Sequence, residues 1–316
     1  MKVIYLELVT PMDSTVKVPA AVLYALLPVF FFSSCAWNKA FLAPDKLPTG
    51  LKAATSTDPS TGDPIIMHFS GQAHQPTVTF TDGAPYPLPY SVESVLFNSD
   101  GKQLNGWMMK SNDTIKAPEI TMLFLHGNGG NLLTEYPIVI PFLQRGFQVF
   151  IFDYSGFGFS EGKASRKHVL IDAQAALAYL HARKDVRGLP LVIYGQSLGG
   201  HTAAVMADRT AGLASEIVIE GGFSSFKSIG QATTHIGPLS LLIHEGPRAT
   251  RSIKNYFGPL LVIHSDDDSV VPLSMGKALY DSGNQPKQFH VIHGPHANGP
   301  FVEPDSIATW IKAMIR

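Results

Sequence analysis

The chain has 316 residues, of which 45% are hydrophobic and 16% are charged, so it can bury a full core and is not a mostly disordered protein. Its formal net charge of -1 gives no general attraction to nucleic acid or to an anionic membrane surface. Any membrane association must therefore come from an apolar segment or a covalent lipid, and no nucleic-acid partner is expected.

An apolar segment near the N-terminus is the first predicted element. No residue from position 18 to position 38 is charged, and the segment follows Lys17 and ends in small residues before Cys35, the single cysteine. This layout is typical of a secretory signal peptide. Residues 32–35, FSSC, resemble the lipobox of bacterial lipoproteins, with phenylalanine where leucine, valine or isoleucine is usual. We therefore expect residues 1–35 to be a signal peptide or membrane anchor, with Cys35 lipidated.

Other interpretations of this segment stay open. It is about long enough to cross a bilayer as an uncleaved anchor, although Pro28 would kink such a helix. It could also direct ordinary export, and a start at Met12 would itself give a signal of normal length. In each case we expect a membrane-associated or exported protein, and a lipid at Cys35 would hold it facing the periplasm or the cell exterior.

Residues 36–90 are predicted to be a tether, or N-terminal extension, ahead of the main domain. They are rich in proline, threonine, serine, glycine and aspartate, as in STDPSTGDP and DGAPYPLP, and this composition is typical of loops. One strand is expected near PTVTFT, and little chemistry is expected in the segment.

From residue 91 to 316 short apolar runs alternate with helix-length segments. Several runs are continuous in valine, isoleucine, leucine and phenylalanine, which is typical of strands buried on both faces. The runs are SVESVLF, LNGWMMK, ITMLFLH, FQVFIFD, LPLVIYG, EIVIEG, PLLVIHS and QFHVIH. This alternation predicts an α/β domain with a mostly parallel central sheet and helices on both faces. The first two strands are expected to form an antiparallel hairpin across Asp100-Gly101.

The predicted helices fill the spaces between these runs. They are 132–144, 166–183, 198–209, 274–282 and 305–316. Residues 222–258 are too few for a large cap domain and are predicted to supply a small lid. In that segment Phe223, Phe226 and residues 236–243 fit either ordinary helix packing or an acyl-binding wall.

The fifth run leads into a motif that predicts a nucleophile. In an open α/β sheet, ligands bind at the carboxyl ends of the strands, and here the strand is followed by Gly195-Gln196-Ser197-Leu198-Gly199 and an apolar helix. A serine on a sharp strand-to-helix turn needs neighbours with almost no side chain, because the two backbones approach closely. The helix that follows would aim its positive N-terminal end at the reacting group.

The glycine-rich segment 126–131, HGNGGN, follows the third run. Such a turn allows a backbone N–H to face a substrate, so the N–H groups of Asn128 and Leu198 are predicted to form an oxyanion hole, with roughly 3 to 4 kcal/mol of transition-state stabilisation per donor. A phosphate-binding loop is the alternative, but the Gly-Lys-Ser/Thr ending of a P-loop is missing.

The last two runs end in candidate acids and bases. PLLVIHS leads into Asp266, Asp267 and Asp268, of which at most one is expected to orient a histidine. Chemistry alone does not choose among them, since a run of acids is common in solvated loops and cation sites. The final run leads to His296, in a loop free to reach the serine, while His293 lies at the strand end and is the alternative base.

These motifs resemble the α/β-hydrolase superfamily, and more narrowly its membrane-associated, lysophospholipase-like and serine aminopeptidase-like serine hydrolases. The resemblance covers about residue 91 to the C-terminus. The family's His-Gly-x-x-Asp-x-x-Val-Pro matches residues 264–272 with Ser265 in place of glycine, which selects Asp268 as the acid. Its Gly-x-His selects His296, and its Asp-Tyr-x-Gly-x-Gly-x-Ser-x-Gly corresponds to residues 153–162, a structural turn.

The order Ser197, Asp268, His296 is the one that this fold uses. The resemblance implies that Ser197 attacks an acyl carbon, that His296 takes its proton, and that Asp268 holds the imidazole until water releases the acyl-enzyme. The implied activity is that of a carboxylesterase- or lipase-like serine hydrolase, which cleaves an ester, thioester or related acyl bond of a small molecule without a metal or organic cofactor.

Alternative functions on the same scaffold are a peptidase or amidase, another enzyme type such as a lyase or cofactor-free oxygenase, and a non-catalytic surface lipoprotein that uses the fold for binding. Three other histidines, His126, His201 and His264, show no metal-ligand spacing with carboxylates or cysteine. We interpret them as packing or loop-holding residues.

Overall fold

An eight-stranded mixed sheet lies at the centre of the computed structural model, which describes residues 41–59, 61–113, 117–210, 212–233, 243 and 245–315. The apolar N-terminal segment and Cys35 lie outside the described residues. Among the helices in the described part of the chain, none combines the length and the apolar character needed to span a membrane.

Eleven strands of five or more residues occur in the described residues. They are β1 Ala53–Thr57, β2 Pro64–Ser70, β3 Gln75–Phe80, β4 Tyr90–Ser99, β5 Lys102–Ser111, β6 Ile120–Leu125, β7 Phe147–Phe152, β8 Leu191–Gln196, β9 Glu216–Glu220, β10 Leu260–Ser265 and β11 Lys287–Ile292. The central sheet has the order β11-β10-β9-β8-β6-β7-β5-β4. Strands β6 to β11 are parallel to one another, and β5 pairs antiparallel with both β4 and β7. The eight strands coincide with the eight apolar runs, so that prediction is confirmed.

The hairpin between β4 and β5 turns where the sequence predicted. Asp100 and Gly101 have φ values of 49° and 76°, and the strands pair from Ser99 and Lys102 outward. A two-residue turn with positive φ at both positions matches the right-handed twist of the strands that it joins.

The helices of the described residues are short except for two. They are α1 Leu132–Glu135, α2 Ile140–Leu143, α3 Arg166–Ala182, α4 Leu198–Met206, α5 Phe226–Thr233, α6 Ala249–Lys254, α7 Leu273–Ser282, α8 Gly299–Val302 and α9 Pro304–Ile315. The predicted helix 132–144 is interrupted by a 3₁₀ turn, Tyr136–Val139. Pro137 and Pro141 explain the break, since each lacks the N–H that a continuous α-helix needs.

The central sheet is covered on both faces, as the continuous apolar runs predicted. Along β6, Leu123 and Leu125 contribute to one apolar cluster, and Met122 and Phe124 contribute to the other. Helices α3 and α4 pack in the first cluster, and α2 and α9 pack in the second. This burial makes the sheet a rigid base for the loops at its edge.

The N-terminal extension contains more structure than its composition predicted. Instead of one strand near PTVTFT, β1, β2 and β3 form an antiparallel sheet. Ile65, Met67 and Phe69 are buried at every second position of β2 and join the same apolar cluster as Trp107. The tether interpretation was therefore wrong for this part, because burial of the alternating apolar residues outweighs the loop-like composition around them.

The segment predicted to be a lid is only partly described. Phe223 and Phe226 are buried, and the ring of Phe223 stacks on His201 with centroids 4.5 Å apart. Those contacts are ordinary helix packing. Of the apolar stretch 236–243, only Ile243 belongs to the described residues, so the lid stays a prediction.

Candidate active site

The loops that carry the predicted site residues meet at one edge of the central sheet. The chain passes from β6 to β7 on one side, then returns to β8 on the other side of β6 and continues outward to β11. Where the strand order reverses, the loops after neighbouring strands separate and leave a crevice at their carboxyl ends. Ser197 follows β8, residues 126–131 follow β6, Asp268 follows β10 and His296 follows β11.

Ser197 occupies a strained turn between β8 and α4. Its φ of 54° and ψ of -111° are unusual for a residue with a side chain, and such strain persists only where the surroundings impose it. A Cβ atom on Gly195 would lie 2.1 Å from the carbonyl oxygen of Gly199, and one on Gly199 would lie 1.8 Å from that of Leu125. Both positions therefore require glycine, as the motif indicated.

The Ser197 side chain is partly exposed and faces the loop after β6. Its Cβ atom is 4.0 Å from the position that a Cβ on Gly127 would occupy. Leu198 is the first residue of α4, so its N–H has no partner within the helix. The carbonyl oxygen of Asn128 accepts a hydrogen bond from the N–H of Ala43 at 2.8 Å, which holds the loop from its outer side.

Asp268 and His296 form a close hydrogen-bonded pair, with 2.6 Å between Oδ2 and Nδ1. The other carboxylate oxygen accepts the N–H groups of Val270 and Val271 at 2.9 and 2.8 Å. The Asp268 side chain is 1% exposed. Burial alone would raise the pKa of Asp268, but the hydrogen bonds from His296 and the two main-chain groups bring it below its ordinary value. A negative charge is therefore held behind the imidazole.

The imidazole of His296 lies beside the turn that carries Ser197. A Cβ on Gly221 would be 3.1 Å from its Cε1 atom, and the residue before Gly221 accepts the N–H of Ser197 at 2.9 Å. The side chain of Gln196 also donates to the carbonyl oxygen of Ala297 at 3.0 Å. Nε2 of His296 is buried and has no hydrogen-bond partner among the described residues, so it can accept a proton.

The neighbouring candidates lie on the outer side of the same loops. His293 pairs with Asp266 at 2.8 Å, and the two side chains are 79% and 38% exposed. Ligand atoms of Asp266, Asp267 and His293 lie within 4.8 Å of one another, but exposed acidic groups commonly occur without a bound cation. The geometry thus favours the pair of Asp268 and His296 over the pair of Asp266 and His293.

His126, His201 and His264 are buried in the scaffold. Burial lowers the pKa of both His126 and His201 to about 4, so they are neutral at physiological pH. His201 contacts the carbonyl oxygen of Phe223 through Nδ1 at 2.9 Å, and Nε2 of His264 is 2.9 Å from that of Val271. These contacts are those of packing and loop-holding residues.

The turn 153–162 supports the loop after β6. Asp153 is fully buried, and its carboxylate accepts the N–H of Leu132 at 2.9 Å. Burial raises the pKa of Asp153 to about 7. Its partner is the first residue of α1, so the contact holds the helix that follows the glycine-rich segment.

Sequence reasoning missed Glu220, the last residue of β9. Its main chain binds the Ser197 N–H, and its carboxylate contacts Gln196 and Gly299 at 2.6 Å. The available signal was a carboxylate at the carboxyl end of the run EIVIEG, where ligands bind.

The chain is similar to known proteins in sequence. The family model described as alpha/beta hydrolase fold matches residues 120–249. YfhR of Escherichia coli O157:H7 is 35% identical over 214 residues, which cover 65% of this chain and 73% of that protein. The alpha/beta hydrolase domain-containing protein WAV2 of Arabidopsis thaliana is 29% identical over 199 residues, with 58% of this chain and 64% of that protein covered.

A similar fold occurs among solved structures. The esterase Pf2001 of Pyrococcus furiosus has a TM-score of 0.60 at 17% identity, and the match covers 74% of this chain and 96% of the esterase. At that identity the similarity shows the fold alone. It confirms the predicted architecture of a central, mostly parallel sheet with helices on both faces.

Proposed function

This chain belongs to the alpha/beta hydrolase fold family, and we propose that within that family it is a serine hydrolase whose nucleophile is Ser197. The observation that carries the proposal is that the strained Ser197 turn lies beside the hydrogen-bonded pair of Asp268 and His296, whose Oδ2 and Nδ1 atoms are 2.6 Å apart. A nucleophile, a base and a group that orients the base are the minimum that acyl transfer to serine requires.

The reaction follows from the placement of these groups. His296 takes the Ser197 proton at Nε2 as the oxygen attacks the acyl carbon, and the negative Asp268 stabilises the imidazolium that forms. The N–H groups of Leu198 and Asn128 bind the oxyanion. The protonated His296 then gives its proton to the leaving alcohol or thiol, and a water molecule activated by the same base releases the acyl group.

We propose a small-molecule ester or thioester as the substrate, in the carboxylesterase- or lipase-like class. The solved structure with a similar fold is called an esterase, which supports this class by analogy of fold. The partly exposed Ser197 at the sheet edge is compatible with attack on a soluble or lipid-borne ester.

A fluorophosphonate probe tests the proposal directly. It reacts with an activated serine hydroxyl, so we expect a covalent adduct on the peptide that contains Ser197, located by mass spectrometry. The folded Ser197→Ala variant should stay unlabelled. A folded wild-type protein that neither reacts with the probe nor hydrolyses esters would contradict the proposed function.

We also propose that the protein is held at a membrane by lipid on Cys35, with the catalytic domain on the periplasmic side or the cell exterior. In a bacterial host the protein should then incorporate labelled palmitate, and Cys35→Ser should lose the label while esterase activity is unchanged. Because burial contributes about 0.8 kcal/mol per CH₂, an anchor with several acyl chains should hold the enzyme stably.

Intact mass measurement of detergent-extracted protein separates the two forms of anchor. A lipoprotein begins at a modified Cys35. An uncleaved helix predicts that Cys35→Ser stays membrane-bound and that the mass includes residues before position 35. An unmodified N-terminus at Met1 or Met12 would contradict the lipid anchor.

A further inference from the structure

Glu220 has a buried carboxylate that the proposed chemistry does not use. It is the last residue of β9, between the strand that leads to Ser197 and the strand that leads to Asp268. The residue is 1% exposed. A carboxylate in such a place is costly unless its oxygens are hydrogen-bonded.

Three donors satisfy the Glu220 carboxylate. Oε2 accepts hydrogen bonds from the Tyr194 hydroxyl and from the Gln196 side-chain amide, both at 2.6 Å. Oε1 accepts the main-chain N–H of Gly299, also at 2.6 Å. A Cβ atom on Gly299 would lie 2.7 Å from Oε1, so the absence of a side chain there permits the close approach. Burial raises the pKa of Glu220, and the three hydrogen bonds oppose that effect.

These contacts join the two halves of the proposed site. Gln196 directly precedes Ser197, and its side chain also reaches the carbonyl oxygen of Ala297, the residue after His296, at 3.0 Å. Ala297 has a φ of 51°, so the loop that carries the histidine is itself in an uncommon conformation that needs support. Asp268 holds the imidazole of His296. Glu220 instead contacts the segment that carries Ser197 and the loop that carries His296.

We propose that Glu220 is a positioning residue that sets the distance between Ser197 and His296. The proposal rests on the proposed function, since it concerns the geometry of the same two groups. Replacement by glutamine keeps the volume but exchanges one acceptor oxygen for an NH₂ group, which cannot accept from the donor that it faces. The Gln196 side chain or the Gly299 N–H then loses its partner, and the histidine loop is free to shift.

Glu216 provides a matched control on the same strand. It is fully buried four residues earlier, and neither of its carboxylate oxygens has a hydrogen-bond partner among the described residues. It is the first residue of β9, so it lies at the opposite end of the strand from Glu220 and the site. Glu216→Gln therefore repeats the chemical change of Glu220→Gln without touching the two loops.

The test measures kcat, KM, the rate of fluorophosphonate labelling and the melting temperature for the full chain and both variants. For Glu220→Gln we expect kcat and the labelling rate to fall together by about 10- to 100-fold, since a misplacement of about 1 Å costs that much, with KM little changed. Glu216→Gln should keep the wild-type kcat. A purely structural role predicts a lower melting temperature with a normal kcat for folded protein.

Two outcomes separate failure of this inference from failure of the proposed function. If the wild type reacts with the probe and both glutamine variants match it, Glu220 does not position the site, although the serine hydrolase assignment stands. If the wild type is unreactive, the proposed function fails first. Should Glu220→Gln not fold, Gln196→Met removes the same link between the loops while it leaves the carboxylate in place. Normal labelling of that variant would overturn the inference.

Discussion

Ser197→Ala is expected to abolish ester hydrolysis, with kcat reduced by about a million-fold, as for loss of the nucleophile in other serine hydrolases. The substitution removes the only atom that can form the acyl-enzyme. The fold should be unchanged, because alanine keeps the Cβ atom and the turn is imposed by the contacts of Gly195 and Gly199 rather than by the hydroxyl. Hydrolysis of p-nitrophenyl acetate and butyrate measures the effect, and circular dichroism checks the fold.

Ser269→Ala is a suitable control for this experiment. Ser269 is an exposed serine in the loop that carries the proposed acid, and it lies next to Asp268 without a role in the proposed reaction. It should retain both turnover and labelling. Retained turnover in folded Ser197→Ala would instead show that another group is the nucleophile.

Asp268→Asn is expected to lower kcat by about ten thousand-fold, by analogy with loss of the triad carboxylate elsewhere. An amide can donate to Nδ1 of His296, which would place the imidazole proton on Nε2 and leave no acceptor for the Ser197 proton. It would also remove the charge that stabilises the imidazolium. The oxygen that accepts the N–H groups of Val270 and Val271 can be retained, so the loop should keep its shape.

The two adjacent aspartates are the controls. Asp266→Asn and Asp267→Asn should change kcat little, since Asp266 contacts the exposed His293 and neither residue contacts His296 in the hydrogen bonds of the described residues. Melting temperatures of all three variants separate a catalytic loss from unfolding. If Asp267→Asn were the severe variant, the match of the loop to the family motif would be wrong by one residue.

A severe loss in Asp266→Asn would have a different meaning. It would favour His293 as the base, the alternative that the sequence left open. The same assay on His293→Gln and His296→Gln would then decide between the two histidines. Only replacement of the true base should lower kcat as much as replacement of the aspartate that contacts it.

The strands of the central sheet were predictable because the apolar composition of each run indicates that the strand is buried. A run such as ITMLFL has no polar face, and a continuous apolar run of this short length is typical of a strand covered on both sides. The Ser197 turn was predictable for a similar reason, since two glycines spaced around a serine record a steric requirement that is local to the turn.

The N-terminal sheet was not predictable from composition. In β2 the buried Ile65, Met67 and Phe69 do follow an alternating pattern, but prolines, glycines and acids surround them, and the strand becomes stable only when β1, β3 and the apolar surface around Trp107 cover it. Short antiparallel strands of this kind depend on partners more than on propensity.

By itself the sequence determined the order of strands and helices and the serine at the strand-to-helix turn, because these depend on local patterning and steric limits. It also determined the set of acids and histidines from which a triad is drawn. The family motifs had selected Asp268 and His296, but only the tertiary structure shows that Asp268 contacts His296 while Asp266 contacts His293. It alone also shows that the Glu220 carboxylate accepts hydrogen bonds from Tyr194, Gln196 and Gly299. The physical reason is that a hydrogen bond between loops depends on where strands far apart in the chain bring their ends. No pattern of neighbouring residues records that distance.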